Sequence, residues 1–267
     1  MTSNTGSSHT PDGAVTTEWA TLRLQRHPDG VRVLTLANER KRNAISLQMR
    51  DDLAACVADV KTDPDARALV VTGAGIAFCA GADLPEVFGG PQRSVAQTRD
   101  HLKRIYDSFL AVKDLAIPTL AAVNGHAVGA GVNLALACDM RLAGPDATFG
   151  VTFTRIGLPP GGGCTYFLVR ELGTQQAMRL LLKGETLDAE QALSYGLTLG
   201  TYDDPLAEAL EFAHGIAALD PHLVRDIKAG VALAQEGLEP VLAHEAWAQA
   251  ATAADPEVRD KLTRPRR

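Results

Sequence analysis

Apolar and polar residues alternate along two stretches near the start of the chain. Residues 20–27 (ATLRLQRH) and 31–37 (VRVLTLA) repeat with a period of two, and the Pro-Asp-Gly sequence between them is a turn signal. This pattern predicts two strands joined by a turn. Residues 1–18 are polar and lack the apolar core of a signal peptide, so we expect a disordered leader there.

After residue 45 the spacing between apolar positions changes to three or four residues. Residues 45–63 and 94–114 follow this helical period, and Ser46 is a suitable N-cap for the first of them. A short apolar helix is predicted after the glycine-rich turn at 125–131. Alternation of helices with apolar strands favours an α/β fold with largely buried strands. The predicted strands are residues 66–75, 117–125, 140–144 and 147–150.

After residue 163 the strand patterns end. The remaining apolar patterns are all helical and are separated by Gly, Pro and Asp. This third of the chain reads as a helical layer that packs on the first part or on another subunit. The predicted helices are residues 164–172, 174–182, 188–195, 205–219, 222–235 and 240–253.

The composition of the chain argues against several classes of function. Of the 267 residues 46% are hydrophobic and 22% charged, as in an ordinary globular protein. The formal charge is −6 and no basic run goes beyond the tail TRPRR, which argues against nucleic-acid binding. No segment has the roughly 20 uninterrupted apolar residues of a membrane span. The four cysteines lack metal-site spacing, so we expect reduced thiols, no metal and a cytoplasmic location.

A glycine-rich turn, GHAVGAG at 125–131, follows one predicted strand and opens a helix. The dinucleotide fingerprint G-x-G-x-x-G is not completed, because Leu134 stands where the third glycine is required. The P-loop, the serine-hydrolase elbow G-x-S-x-G and the zinc motif H-E-x-x-H are also absent. Taken alone, the turn would equally suit close packing of a helix against a strand.

A second glycine-rich strand exit, TGAGIAFCAGADL at 72–84, changes that interpretation. Two such turns in one sheet can place two backbone N–H groups around one oxygen. Fixed donors about 3 Å from an oxygen that gains negative charge are the requirement of an oxyanion hole. The two turns therefore predict an oxyanion-binding site.

Several motifs together resemble the crotonase, or enoyl-CoA hydratase/isomerase, superfamily. They are NERKRNAIS, AFCAGADL, PTLAAVNGHAVGAGVNLALACDMRLAG, ATFG with GLPPGGG, and KGETLDAEQALSYGL, in the family's order over about residues 20–260. The resemblance implies an α/β, crotonase-type spiral of ββα repeats over residues 19–200. It also implies a C-terminal helical trimerisation region over residues 201–267 and a homotrimer or a hexamer built as a dimer of trimers.

The resemblance further implies an acyl-CoA thioester as ligand, with coenzyme A as part of the substrate and no prosthetic group. By position, the oxyanion donors are the backbone N–H groups of Ala82 and Ala130. Many relatives have Gly in place of Ala130, and a backbone donor tolerates this change. The positions that correspond to coenzyme A binding are Lys41, Arg42, Ala44, Ala80, Asp83 and Leu84.

The chain departs from the family at both acid/base positions. Hydratases carry one Glu three residues after the second oxyanion donor and another three residues past the xFG motif, where this chain has Asn133 and Phe153. An amide has no accessible pKa for proton transfer, and a phenyl ring has none at all. Loss of one general acid or base costs about 10²–10⁴-fold in rate, so we expect weak or absent hydration.

Other residues could in principle supply the missing general acid or base. His126, Asp83 and Arg155 lie near the predicted site in sequence, but a hydrogen-bonding, loop-supporting or surface role suits each of them better. A reactive thiolate at Cys79 or Cys164 lacks an identified base.

Three hypotheses remain open from the sequence. The chain is an atypical acyl-CoA lyase or isomerase with an altered acid/base set, a non-catalytic fatty acyl-CoA-binding protein on the same fold, or a weak hydratase in which Asn133 positions water.

Overall fold

The computed structural model describes residues 7–9, 13–256 and 258. Within them strands and helices alternate up to about residue 150, after which helices predominate. The strands are β1 (Ser7–His9), β2 (Val15–Glu18), β3 (Leu22–Arg26), β4 (Val31–Leu36), β5 (Ala68–Gly73), β6 (Thr119–Val123), β7 (His126–Val128), β8 (Met140–Ala143), β9 (Thr148–Gly150) and β10 (Thr186–Asp188). The α-helices are α1 (Leu47–Thr62), α2 (Leu84–Phe88), α3 (Val95–Leu110), α4 (Ala130–Ala137), α5 (Cys164–Lys183), α6 (Ala189–Ser194), α7 (Pro205–Ala217), α8 (Pro221–Leu233) and α9 (Leu238–Ala254).

Two sheets organise these elements. The larger has seven strands in the order β1-β2-β3-β4-β5-β6-β8, and the smaller has three in the order β10-β9-β7. The pairs from β1 to β4 are antiparallel, whereas β4, β5, β6 and β8 are parallel. The chain passes from β6 in the large sheet to β7 in the small sheet and then into α4. It repeats the step from β8 to β9, ahead of α5. The predicted α/β spiral of ββα units with C-terminal helices is confirmed.

The large sheet is covered on both faces, which explains why its strands are apolar throughout. On β5, Leu69 and Val71 belong to the main core, which is filled by residues of α1, α3 and α4. Ala68 and Val70 face the other way and pack against Ala209 and other residues of α7. The first C-terminal helix is therefore part of the core and not an appendage.

The prediction of a disordered leader over residues 1–18 is wrong for residues 15–18. Residues 15–18 form β2, which pairs with β3 from Val15 opposite Arg26 to Glu18 opposite Arg23. Val15, Thr16 and Thr17 are β-branched, and the main-chain hydrogen bonds of a strand do not require apolar side chains. Residues 1–6 and 10–12 of the predicted leader lie outside the described residues.

The C-terminal helices occupy the predicted positions. Residues 164–172 and 174–182 are helical, as predicted, and the backbone between them is not helical at Gly173 (φ 73°, ψ 167°), so α5 consists of two helical segments. Helices α8 and α9 pack on each other and expose apolar side chains, including Ile227, Val231 and Trp247. No helix in the described part of the chain is long and apolar enough to cross a membrane.

Asn43 holds together the loops that follow β4 and β5. Its backbone is left-handed (φ 57°) and its side chain is fully buried. The amide nitrogen donates to the carbonyls of Ala74 and Ala77 at 2.9 and 2.8 Å, and the amide oxygen accepts from the N–H of Asn38 at 2.9 Å. Asn is the residue type that combines these hydrogen bonds with a tolerated left-handed backbone.

We expect Asn43→Ala to lower the free energy of unfolding by about 2–4 kcal/mol, because three hydrogen bonds are lost and the backbone becomes strained. Asn43→Gly loses the same hydrogen bonds without the strain and is expected to cost about 1 kcal/mol less. Urea denaturation measures both, with the exposed Gln92→Ala as the control. Equal stability of Asn43→Ala and the unmodified protein would contradict this role.

Candidate active site

The two glycine-rich turns meet side by side. Cys79 and Ala127 form a parallel bridge, in which the N–H of Cys79 donates to the carbonyl of His126 at 3.0 Å. The N–H of Val128 donates back to the carbonyl of Cys79 at 2.9 Å. The exit from β5 is thus hydrogen-bonded along its length to the strand that leads into α4.

Glycine is required at this contact because backbone touches backbone. A Cβ atom on Gly131 would lie 2.1 Å from the carbonyl oxygen of Cys79, and one on Gly81 would lie 2.6 Å from that of Val128. Gly81 and Gly129 also have positive φ values, 91° and 52°, which side chains disfavour. The sequence GAG therefore permits a close approach of two turns.

The backbone amides of Ala82 and Ala130 lie at this contact. A Cβ atom on Gly81 would lie 3.6 Å from the nitrogen of Ala130, so the two segments are adjacent. Neither amide donates a hydrogen bond to any residue that the structure describes. Ala130 is the first residue of α4, where the N–H groups carry the positive end of the helix dipole. Two unused donors beside each other can bind an oxygen that gains negative charge.

Asn133 is one turn further along α4 and is 1% exposed. Its amide nitrogen donates to the carbonyl of Gly161 at 2.8 Å, and its amide oxygen is buried without a hydrogen-bond partner among the described residues. The side chain is therefore fixed by the PPGGG segment. An unpaired buried acceptor of this kind costs about 1–3 kcal/mol, so it is a place where a donor would bind.

Phe153 lies beside the same turn, at Gly129. A Cβ atom on Gly129 would lie 3.8 Å from the ring carbon Cζ of Phe153. The ring is half-buried and packs against the main core. Asn133, whose N–H donates to the carbonyl of Gly129, and Phe153 both lie next to this turn. That they stand at the two acid/base positions of the family stays a prediction.

Tyr106 is a site residue that the sequence did not reveal. Its hydroxyl oxygen lies 2.4 Å from where a Cβ atom on Gly161 would stand, next to the carbonyl that binds Asn133. The hydroxyl makes no hydrogen bond within the described residues, and burial raises the pKa of Tyr106 above its ordinary value. In the sequence Tyr106 reads only as part of the apolar stripe of α3, and no local motif marks its approach to the PPGGG segment.

The six positions assigned to coenzyme A come together in one surface region. The N–H of Ala80 donates to the carbonyl of Arg42 at 2.9 Å, and Ile45, next to Ala44, bridges to Ala82. Leu84 begins α2 and is exposed. The assignment to coenzyme A itself stays a prediction.

Lys41 is ion-paired in this region. Its ammonium group contacts Asp83 at 2.7 Å and Glu86 at 2.6 Å. The hydrogen bonds to Asp83 and Glu86 raise the pKa of Lys41 to about 12, and the bond from Lys41 lowers the pKa of Asp83. Asp83 is also the N-cap of α2. A phosphate that binds Lys41 must therefore compete with two carboxylates.

The remaining candidates have structural surroundings. The Nδ1 atom of His126 is 2.9 Å from the hydroxyl of Thr148, and Arg155 is exposed on a 3₁₀ turn. Burial raises the pKa of the Cys79 and Cys164 thiols to about 12, which excludes a thiolate at neutral pH. Among the described residues no group of three or more His, Cys, Asp or Glu side chains is arranged to hold a metal.

Comparison with known proteins agrees with this geometry. The sequence model of the Enoyl-CoA hydratase/isomerase family matches residues 26–260. The chain is 47% identical over 208 residues to "Probable enoyl-CoA hydratase EchA14" of Mycobacterium tuberculosis, covering 78% of this chain and 79% of that protein. It is 38% identical over 176 residues to "1,2-epoxyphenylacetyl-CoA isomerase" of Escherichia coli, covering 66% of this chain and 67% of that protein.

Solved structures show the same similarity in three dimensions. The crystal structure of an enoyl-CoA hydratase from Bacillus anthracis superimposes with a TM-score of 0.81 at 31% identity, covering 93% of this chain and 94% of that chain. An enoyl-CoA hydratase from Thermoplasma volcanium superimposes with a TM-score of 0.81 at 28% identity, covering 92% and 98%.

The environment of the thiols predicts their reactivity. All four cysteines are buried and unpaired, and desolvation raises the pKa of each thiol from 9.0 to about 12. At pH 8 we expect no rapid reaction of the folded protein with a thiol-specific disulfide reagent and four equivalents of reaction after unfolding in guanidinium. Absorbance of the released thiolate measures both. A thiol that reacts within seconds in the folded protein would contradict the buried assignment.

Proposed function

This chain belongs to the enoyl-CoA hydratase/isomerase family, and we propose that it binds an acyl-CoA thioester through the amides of Ala82 and Ala130. The observation that carries the proposal is the contact of the two glycine turns, which leaves both amides without an acceptor among the described residues. A thioester carbonyl oxygen between them would accept two hydrogen bonds. These bonds strengthen as the oxygen becomes negative, so the enolate is stabilised more than the substrate.

The reaction supported by this site is one that passes through the enolate. In a lyase reaction the bond from the α-carbon to the departing group breaks, and that group leaves without the bonding electron pair. In an isomerisation the α-proton would pass to the ionised form of Tyr106. In both reactions the electron pair moves into the carbonyl, and the negative charge comes to rest on the oxygen between the two amides. Return of a proton to the α-carbon completes the step. Isomerisation and lyase reactions share this course, and the similarity to an acyl-CoA isomerase supports it.

Hydration by the two-carboxylate route is not favoured here. Asn133 is held by its amide hydrogen bond to Gly161, and Phe153 adds an apolar ring next to Gly129. Neither can take a proton from water. We therefore propose an atypical lyase or isomerase and not an ordinary hydratase.

Tyr106 is the group that we propose to supply the proton. A tyrosine hydroxyl is protonated at neutral pH and can donate, and the burial that raises the pKa of Tyr106 makes its tyrosinate the stronger base once the proton has been given up. The hydroxyl would protonate the α-carbon of the enolate, and the tyrosinate that remains would recover a proton from solvent. This role is consistent with its place against Gly161, beside Asn133.

We further propose that coenzyme A is bound as part of the substrate, with no prosthetic group, along the surface formed by residues 41–44 and 80–84. The exposed apolar side chains of α8 and α9 suit a homotrimer or a dimer of trimers. Reduced, buried thiols are consistent with a cytoplasmic location.

A second candidate function is acyl-CoA binding without turnover. The observation that favours it is the fixed amide of Asn133, together with an apolar ring, Phe153, at the position where the family resemblance implies a second carboxylate. Both candidates require thioester binding, and they differ in whether the α-carbon exchanges protons.

Thioester recognition is tested by comparing hexanoyl-CoA with hexyl-CoA, a thioether that lacks the carbonyl oxygen. We expect the thioester to bind about tenfold more tightly, because two hydrogen bonds of about 0.5–1.5 kcal/mol each are lost with the oxygen. Isothermal titration calorimetry measures both dissociation constants. Equal affinities would rule out the oxyanion contact.

Proton transfer is tested by deuterium exchange at the α-carbon of hexanoyl-CoA in D2O, followed by mass spectrometry. We expect exchange with the unmodified protein, about 10²-fold slower exchange with Tyr106→Phe, and little change in thioester affinity. Exchange should quicken as the pH rises towards the raised pKa of Tyr106, since only the tyrosinate can take the proton. Tyr166→Phe, on an exposed tyrosine of α5, is the matched control.

Binding without any exchange would establish the second candidate function. Exchange that is unchanged in Tyr106→Phe would assign the proton to another group.

A further inference from the structure

A groove runs along the outer face of α3, with a volume of about 570 Å³. Its apolar lining comes from Val95, Leu102 and Tyr106, and Val95 is 90% exposed. An apolar side chain as open as Val95 gains nothing from its present surroundings. The groove therefore offers unsatisfied apolar surface to a ligand.

The groove leads to the candidate active site through Tyr106. This residue forms one end of the groove, and its hydroxyl lies against Gly161. The carbonyl of Gly161 in turn accepts the hydrogen bond of Asn133, one turn of α4 from the oxyanion amide of Ala130. Tyr106 therefore stands between the groove and the site, and an acyl group whose thioester lies at Ala130 would pass it to enter the groove.

The rest of the lining is strongly cationic. Arg93, Arg99 and Lys103 line the groove, and none of the described residues that line it is acidic. Lys103 has a carboxylate partner, Asp107, at 2.7 Å on the exposed surface.

Arg99 and Arg93 also make only weak interactions. Arg99 contacts its chain neighbour Asp100 at 2.8 Å, and Arg93 donates to the carbonyls of Val87 and Gly89 at 3.3 Å. Exposed pairs of this kind contribute little, typically about 0.2–1 kcal/mol, so an incoming anion can replace them.

An apolar wall with a cationic rim complements a ligand that has an apolar body and an anionic end. We propose that the groove binds the distal part of a carboxylate-terminated acyl chain, so that the substrate is the mono-CoA thioester of a medium-chain dicarboxylic acid. This inference rests on the proposed function, since it names the acyl group for the same thioester site.

The positions of the cations set the length of the chain. Along the helix axis, Lys103 lies about 4.5 Å and Arg99 about 10 Å beyond Tyr106, at 1.5 Å per residue. A carboxylate a few carbons past Tyr106 reaches Lys103, and a longer chain reaches Arg99. Adipyl-CoA and hexanoyl-CoA form a suitable pair, because both have six-carbon acyl chains and differ in the terminal carboxylate.

The test is isothermal titration calorimetry of the full chain with these two thioesters. We expect adipyl-CoA to bind about tenfold more tightly at low ionic strength, and the preference to shrink with added salt. Lys103→Gln and Arg99→Gln should each reduce the preference, and the double substitution should abolish it without weakening hexanoyl-CoA binding. Lys61→Gln removes the same charge from the far end of α1 and is the matched control.

Each outcome distinguishes the two proposals. Equal affinity for the two thioesters, or a preference that survives the double substitution, would overturn the carboxylate site and leave the proposed function in place. Failure of both thioesters to bind would overturn the proposed function and the groove assignment with it.

Discussion

The site depends on a contact between two stretches of backbone. The exit from β5 is hydrogen-bonded to the segment that enters α4, and Gly131 lies so close to the carbonyl of Cys79 that no side chain fits between them. This contact fixes the amides of Ala82 and Ala130 beside each other. Since the donors belong to the main chain, their direction is set by the sheets and by α4, and the side chains around them are free to vary. The replacements at Asn133 and Phe153 leave this part of the site intact.

Much of the fold could be predicted from periodicity, because buried parallel strands and amphipathic helices have strong patterns. The strands missed were β1, β2, β7 and β10. β1 and β2 are polar and pair with the next strand along the chain, whereas β7 and β10 have three residues each and pair with β9, which is more distant in sequence. The same limit applies to the site. The two turns carry a local glycine signature, whereas the approach of Tyr106 to Gly161 joins residues of two elements with no local pattern. The ion pairs of Lys41 with Asp83 and Glu86 likewise depend on tertiary contacts.

The side chains at positions 133 and 153 limit the chemistry of the site. Two carboxylates at positions 133 and 153 could hold and activate water. The amide of Asn133 instead holds the PPGGG segment, and Phe153 adds an apolar ring beside Gly129. Stabilisation of negative charge by the backbone is unaffected by this change. What remains is a backbone arrangement suited to stabilising an enolate, with the Tyr106 hydroxyl beside Gly161 as the proposed proton donor.

Helix α3 lies outside both sheets, yet it carries Tyr106 and two of the three cations along the groove, Arg99 and Lys103. The part of the molecule that would meet the acyl chain is therefore separate from the part that would meet the thioester. Substitutions on the outer face of one helix can alter which acyl chains are accepted without moving the oxyanion donors. Such a division of labour lets a lineage of enzymes acquire new substrates by drift at exposed positions, while the catalytic backbone stays under the constraint of close packing.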